Sequence, residues 1–180
     1  GTLEGKNVVV VRSGIGKVNA AVCTQILIDE FEAEAVINTG IAGSLNADIN
    51  IEDLVISTDL VHHDMNAVAF GYPVGQIPQM EAFSFRSDET LRKLAVQACK
   101  EVNPDIEVFE GRIASGDQFV ADQGVKDFVV KEFGAYAVEM EGAAIAQAAY
   151  LNNVPFLVVR AISDKADGSA EVDYPTFEAL

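Results

Sequence analysis

Short runs of β-branched and apolar residues, most of them closed by a glycine or an acidic residue, alternate with helix-patterned stretches along the whole chain. Runs at Val8–Val11 and Phe156–Ile162 are apolar at successive rather than alternate positions, the pattern of strands buried on both faces. Further strands are predicted at Ala35–Asn38, Asp53–Val61, Ile106–Ser115 and Tyr136–Met140. Helices are predicted at Val18–Phe31, Asp88–Val102, Asp122–Phe133 and Glu141–Leu151. Such alternation, with glycine-rich junctions, builds a mostly parallel or mixed sheet covered by helices, so the expected class is α/β.

With 180 residues, 49% of them hydrophobic, the chain suffices for one globular unit, and residues 1–180 read as a single domain with no repeat or linker. Both ends read as unfinished. Gly1–Lys6 runs straight into an apolar strand, and Tyr174–Leu180 begins to look helical with Pro175 suited to a first turn. The expectation is a fragment of a longer chain.

Charge narrows the function classes. Twenty-eight Asp and Glu against twelve Lys and Arg give a net charge of -16, which would repel phosphate backbones and anionic lipid. No uncharged apolar run approaches the roughly 18 residues of a membrane span, and the first residues lack the pattern of a signal peptide. Cys23 and Cys99 show no metal or redox spacing and read as reduced core thiols, in keeping with a cytoplasmic setting. Neither a nucleic-acid nor a membrane partner is expected.

Residues 65–80 hold no charged residue but contain Phe70, Tyr72, Pro73 and Pro78. Such a stretch is neither a regular helix nor a central strand, and an uncharged aromatic loop is expected to be covered by a ligand or a second subunit.

Four short motifs could carry chemistry. Ser13-Gly14-Ile15-Gly16-Lys17 lacks the spacing of a phosphate-binding loop and reads as a tight turn that brings backbone close to a neighbouring element or a ligand. Thr39-Gly40-Ile41-Ala42-Gly43 follows a strand, where small residues admit a ligand or simply make a turn. The adjacent His62 and His63 would point to opposite faces of a strand, so a local structural role is expected and no metal. Glu139 and Glu141 stand at i and i+2, on one side of a strand end, and Asp164 ends the next strand. Converging carboxylates can raise a pKa into the range of a general acid, or the two glutamates can merely cap a helix; spacing alone leaves both open.

Six segments in order, Ser-Gly-Ile-Gly-Lys at 13–17, Asn-Thr-Gly-Ile-Ala-Gly at 38–43, Ala-Phe-Gly-Tyr at 69–72, Ser-Gly-Asp-Gln-Phe-Val at 115–120, Ala-Val-Glu-Met-Glu-Gly at 137–142 and Val-Val-Arg-Ala-Ile-Ser-Asp at 158–164, resemble the bacterial 5'-methylthioadenosine/S-adenosylhomocysteine nucleosidases. The resemblance implies the nucleoside phosphorylase fold, a three-layer α/β/α sandwich around a twisted mixed sheet, with a first strand and a last helix missing from this chain. It implies a homodimer, contacts through the 65–80 loop, a thio-nucleoside substrate and no cofactor or metal.

By resemblance Asp164 protonates adenine at N7, Glu141 holds the ribose hydroxyls and Met140 packs on the sugar. Phe119 stacks on the base, the Val120 backbone pairs with its edge, Ser163 positions the acid, and Gly43 and Ala42 line the site. Glu139, Arg160 and Ile41 fall near the attacking water, Tyr174 on the 5'-thio pocket, and Ala67, Phe70 and Pro78 in the partner subunit's site. The water-activating glutamate of the family lies after a first strand that has no counterpart from Gly1 onward. A phosphorylase of the same fold would place an arginine and a hydroxyl residue where Asn38 and Ile41 stand, because a phosphate dianion requires charge-assisted donors. A non-catalytic binding protein would be expected to lose Asp164 or Glu141.

Overall fold

A computed structural model describes residues 1–167; the predicted C-terminal helix and Tyr174 lie outside the described residues. Strands are β1 (Thr2–Leu3), β2 (Lys6–Asn7), β3 (Val36–Ser44), β4 (Leu54–His62), β5 (Phe85–Arg86), β6 (Val108–Ser115), β7 (Ala137–Glu139) and β8 (Phe156–Asp164). Helices are α1 (Lys17–Phe31), α2 (Glu89–Val102), α3 (Gln123–Phe133) and α4 (Gly142–Leu151). The sheet is mixed: β3 runs parallel to β8 and antiparallel to β7, while β6 runs parallel to β4 and β7. Antiparallel pairing of Leu54–Ile56 with Val159–Ala161 joins β4 back to β8, so β4, β6, β7, β3 and β8 close into a ring. Closure gives each of these strands a neighbour on both sides.

Local chemistry explains the helix boundaries. Asp88 caps α2 by accepting from the Leu91 N–H at 2.8 Å, and Asp122 caps α3 through Val125 at 3.0 Å. Each such cap contributes about 1 kcal/mol. Gly134, in the left-handed region, ends α3. Helix α4 is alanine-rich and buries Gly142, Ala143, Ala144, Ile145, Ala146 and Ala149. Its small side chains let it lie close to the sheet, among Leu60, Phe85, Ile113 and Ala137. An Ala146→Leu change would overpack this layer, at about 1–3 kcal/mol.

Two predictions are corrected. Residues 8–11 form no strand, and Val9, Val10 and Val11 are exposed. The β1–β2 hairpin closes with Val8 bonded to Gly1, and beyond it the segment has no ladder partner among the described residues. Helix α1 is apolar on more than one face: Ala20 and Thr24 are buried, whereas Val18, Val22 and Ile26 stand exposed at helical spacing. Residues of the 8–11 segment and α1 line an open surface hollow, and Cys23, expected in the core, is a half-buried thiol on its wall. Cys99 is likewise free and half-buried.

The second correction concerns Thr39–Gly43, which form no loop. Strand β3 continues through them because β8 pairs with it residue by residue, from Val36 opposite Phe156 to Ala42 opposite Ile162. A Cβ on Gly40 would sit 3.2 Å from the Arg160 guanidinium, so glycine there leaves room for the arginine.

Candidate active site

At its far end the β3–β8 ladder slips. Ala42 pairs with Ile162, but Gly43 pairs with Asp164, leaving Ser163 as the extra residue of a bulge. A bulge re-aims the side chains that follow it. Asp164 is buried, with Oδ1 accepting from the Ala166 N–H at 2.7 Å and Oδ2 accepting from the Ser163 hydroxyl at 2.8 Å. The same hydroxyl lies 3.3 Å from the Ala42 carbonyl. Ser163 therefore has a second acceptor within reach whenever Asp164 carries a proton. Gly43 faces this carboxyl so closely that a Cβ would lie 2.9 Å from Oδ1 and 2.8 Å from the Ala166 Cβ.

Strand β7 brings the glutamates to the same end. Glu139, fully enclosed, accepts from the Arg160 Nη2 at 2.5 Å, the Gly142 N–H at 2.7 Å, the Glu141 N–H at 3.0 Å and the Ser115 hydroxyl. Burial alone would raise its pKa, but the Arg160 charge and these hydrogen bonds outweigh burial and hold the carboxyl below its ordinary value. Glu139 thus secures the start of α4, whose Ala143 N–H is taken by Ser115 at 2.7 Å. Arg160 also donates to the Asn38 amide oxygen at 2.5 Å.

Glu141 does not share the strand face with Glu139, because β7 stops at Glu139 and strand alternation ends with it. Its Oε1 accepts from the Gly16 N–H at 2.8 Å. Burial raises its pKa, the Gly16 bond opposes that shift, and the neighbouring Glu139 charge adds to it. The glycine turn at 13–17 therefore brings backbone to the site, with Gly16 at φ 91°.

Gly43, Gln118, Phe119, Val120, Val138, Glu139, Met140 and Asp164 line a small cleft. Phe119 is 67% exposed at its mouth, while Val120 is buried. Six of the residues singled out from sequence meet on this wall. Ala42, Ser163 and Arg160 lie behind it, and Ile41 is half-buried on β3 opposite Ala161. In the 65–80 loop Phe70 is 83% exposed, Pro78 half-buried and Ala67 buried. Gln118, Val138 and Ser115 were given no role of their own; they stand inside the 115–120 and 137–142 motifs, and Gly16 stands inside the 13–17 turn that was expected to bring backbone close to a neighbouring element or a ligand.

His62 Nε2 donates to the Gln147 amide oxygen at 3.0 Å, and His63 packs on Gly116. Both are buried, and desolvation lowers both pKa values. Among the described residues no group of three or more His, Cys, Asp or Glu is placed to hold a metal.

A closed mixed sheet whose strand ends deliver a buried aspartate to a small cleft lined by both apolar and acidic side chains defines an α/β enzyme that takes a compact organic ligand. The model of the phosphorylase superfamily matches residues 1–179, and the chain belongs to that superfamily and, within it, to the 5'-methylthioadenosine/S-adenosylhomocysteine nucleosidase family. It is 49% identical over 178 residues to the nucleosidase of Anoxybacillus flavithermus, covering 98% of this chain and 76% of that one. The Neisseria meningitidis nucleosidase in complex with methylthio-immucillin-A superposes with a TM-score of 0.93 at 44% identity, over 98% of this chain and 76% of that one. A futalosine hydrolase mutant of Helicobacter pylori superposes with a TM-score of 0.92 at 41% identity, over 98% and 76%.

Proposed function

We propose that the protein hydrolyses the N-glycosidic bond of 5'-methylthioadenosine and S-adenosylhomocysteine, releasing adenine and a 5-thio-ribose product. The composition of the cleft carries this reading. Its wall holds two carboxylates, Phe119, two valines and Met140, and neither arginine nor lysine. An uncharged nucleoside and a water molecule fit such a wall, whereas a phosphate dianion would meet carboxylates in place of the cations it needs. Arg160, behind the wall, is committed to Glu139 and Asn38.

In this mechanism Asp164 gives its proton to N7 of adenine as the C1'–N9 bond opens, so the base leaves neutral. The sugar carbon passes through an oxocarbenium-like state and takes its oxygen from water, and the proton that the water gives up balances the one Asp164 lost, restoring the acid for the next turnover. Once Asp164 is ionised, the Ser163 hydroxyl donates to it; when protonated, the acid leaves that hydroxyl free to turn to the Ala42 carbonyl, so both states keep a partner. Glu141 accepts from the ribose hydroxyls, Phe119 stacks on the base, the Val120 backbone pairs with the base edge, and Met140 and Gly43 confine the sugar. Glu139, on the wall, and Arg160, behind it, support the site through the start of α4.

We further infer a homodimer that covers the 65–80 loop, where the exposure of Phe70 and Val68 supports burial by a second copy. The same neutral cleft would admit other nucleosides of similar shape.

Incubation of the full-length protein with 5'-methylthioadenosine, with and without inorganic phosphate, tests the reaction by adenine release. Release at the same rate in both is expected, with a free reducing sugar as the second product. Release that requires phosphate and yields a sugar phosphate would contradict the assignment. A faster rate of hydrolysis on futalosine would move the substrate.

A further inference from the structure

Lys17, Asp64 and Asp117 form a ring of contacts outside the cleft that no proposed step uses. The Lys17 ammonium meets both Asp64 oxygens, at 2.7 and 2.8 Å. The Asp117 N–H donates to Asp64 Oδ2 at 2.9 Å, and the Lys17 N–H donates to Asp117 Oδ1 at 2.8 Å. Three segments distant in sequence, the turn before α1, the residues after β4 and the loop after β6, are closed on one another by these bonds.

Both ends of the ring run on into the site. One residue before Lys17, the Gly16 N–H holds Glu141 at 2.8 Å, and two residues beyond Asp117 stands Phe119. The N–H groups of Gly16, which precedes α1, and of Lys17, its first residue, are therefore taken by carboxylates from other parts of the chain, Glu141 and Asp117, because Gly16 has no side chain to cap the helix. A Cβ on Gly16 would lie 3.2 Å from Asp117 Oδ1. The ring lies at the surface, with the Lys17 and Asp64 side chains 21% and 24% exposed, and its geometry is set by four hydrogen bonds that close on one another. Burial pushes the Asp64 carboxyl up, and the Lys17 and Asp117 bonds more than reverse that, keeping it ionised.

We propose that the Lys17–Asp64–Asp117 ring is a positioning device that fixes the separation between the sugar-holding carboxylate of Glu141 and the base-stacking loop of Phe119. Asp64 is its keystone, since it alone receives bonds from both other members. It touches no substrate and acts through Gly16 and residues 117–119. The inference rests on the nucleosidase reading above.

Asp64→Asn keeps the size of the side chain and one acceptor for Asp117 but removes the charge that holds Lys17. With full-length protein and 5'-methylthioadenosine, Asp64→Asn is expected to raise KM about tenfold, Lys17→Met to do the same, and the double variant to be no worse than either, as for members of one unit. Adenine affinity should fall in parallel. Asp59→Asn, which breaks the part-buried pair with Arg112 at 2.6 Å, controls for stability: it should lower Tm comparably while KM stays at the wild-type value. Wild-type protein that turns over while Asp64→Asn shows KM and kcat within twofold of it would overturn the ring's role alone. KM that rises equally in Asp59→Asn would also overturn it, by reducing the ring to general stability. No adenine release from the wild type would overturn the nucleosidase reading and this role with it.

Discussion

Arg160 and Glu139 meet at 2.5 Å with each side chain 2% exposed, beneath the start of α4, with Glu139 on the cleft wall and Arg160 behind it. The pair replaces water for two charges, and Ser115, Asn38 and the α4 backbone satisfy what remains of Glu139 and one side of the guanidinium. Removing one partner leaves the other charged and buried. Glu139→Ala should therefore destabilise the fold by about 3–5 kcal/mol in urea denaturation, whereas a paired change to apolar residues of similar volume should cost much less. Equal losses would mean that the charge itself contributes the stability.

Gly43 leaves no space for a methyl group between Asp164 and Ala166. Gly43→Ala must push one of them aside, an overpacking of about 1–3 kcal/mol, and the movable neighbour is the bulge that carries the acid. Turnover should fall at least tenfold with a fold that still melts cooperatively. Unchanged kcat would show that Asp164 does not depend on this floor.

Phe119 presents most of its ring to solvent at the cleft mouth, so truncation removes little from the folded state. Base–aromatic stacking is worth about 1–3 kcal/mol. Phe119→Ala should raise KM for 5'-methylthioadenosine by about 5- to 150-fold with Tm nearly constant. A lowered Tm with KM unchanged would assign the ring to packing.

His62 and His63 are buried, and desolvation holds their folded pKa values below the ordinary value of 6.5. For a base so shifted, the unfolded chain takes up the proton first. The stability that the neutral rings contribute is present above the ordinary histidine pKa and is lost as pH falls below it towards the folded values. Stability should decline from pH 7 to pH 5.5, and His62→Asn should flatten that decline. A slope identical in the variant would exclude the ring as its source.

Most elements were legible because their signals are local. The Asp88 and Asp122 caps, the 3.6-residue pattern of α3 and the apolar run of β8 each mark an element within a residue or two of its place. Thr39–Gly43 misled because the glycines that punctuate a loop serve here to admit Arg160 and Asp164 to a paired strand, a demand set by the neighbouring β8. Val8–Val11 misled for the opposite reason: its composition is that of a buried strand, but a strand needs a ladder partner, which sequence cannot supply. In the site, the acidic residues were visible by type and motif. Their division of labour came only from the resemblance and not from spacing, because it depends on the end of β7 after Glu139, the bulge at Ser163 and the Gly16 N–H more than a hundred residues away.

Asp164→Asn tests the account most directly, since it removes the transferable proton and keeps the shape of the side chain. Measured by adenine release in single turnover alongside adenine affinity at equilibrium, the variant should lose about 10²–10⁴-fold in rate while binding adenine within a few fold of wild type. Release at the wild-type rate would contradict the assignment of Asp164 as the acid.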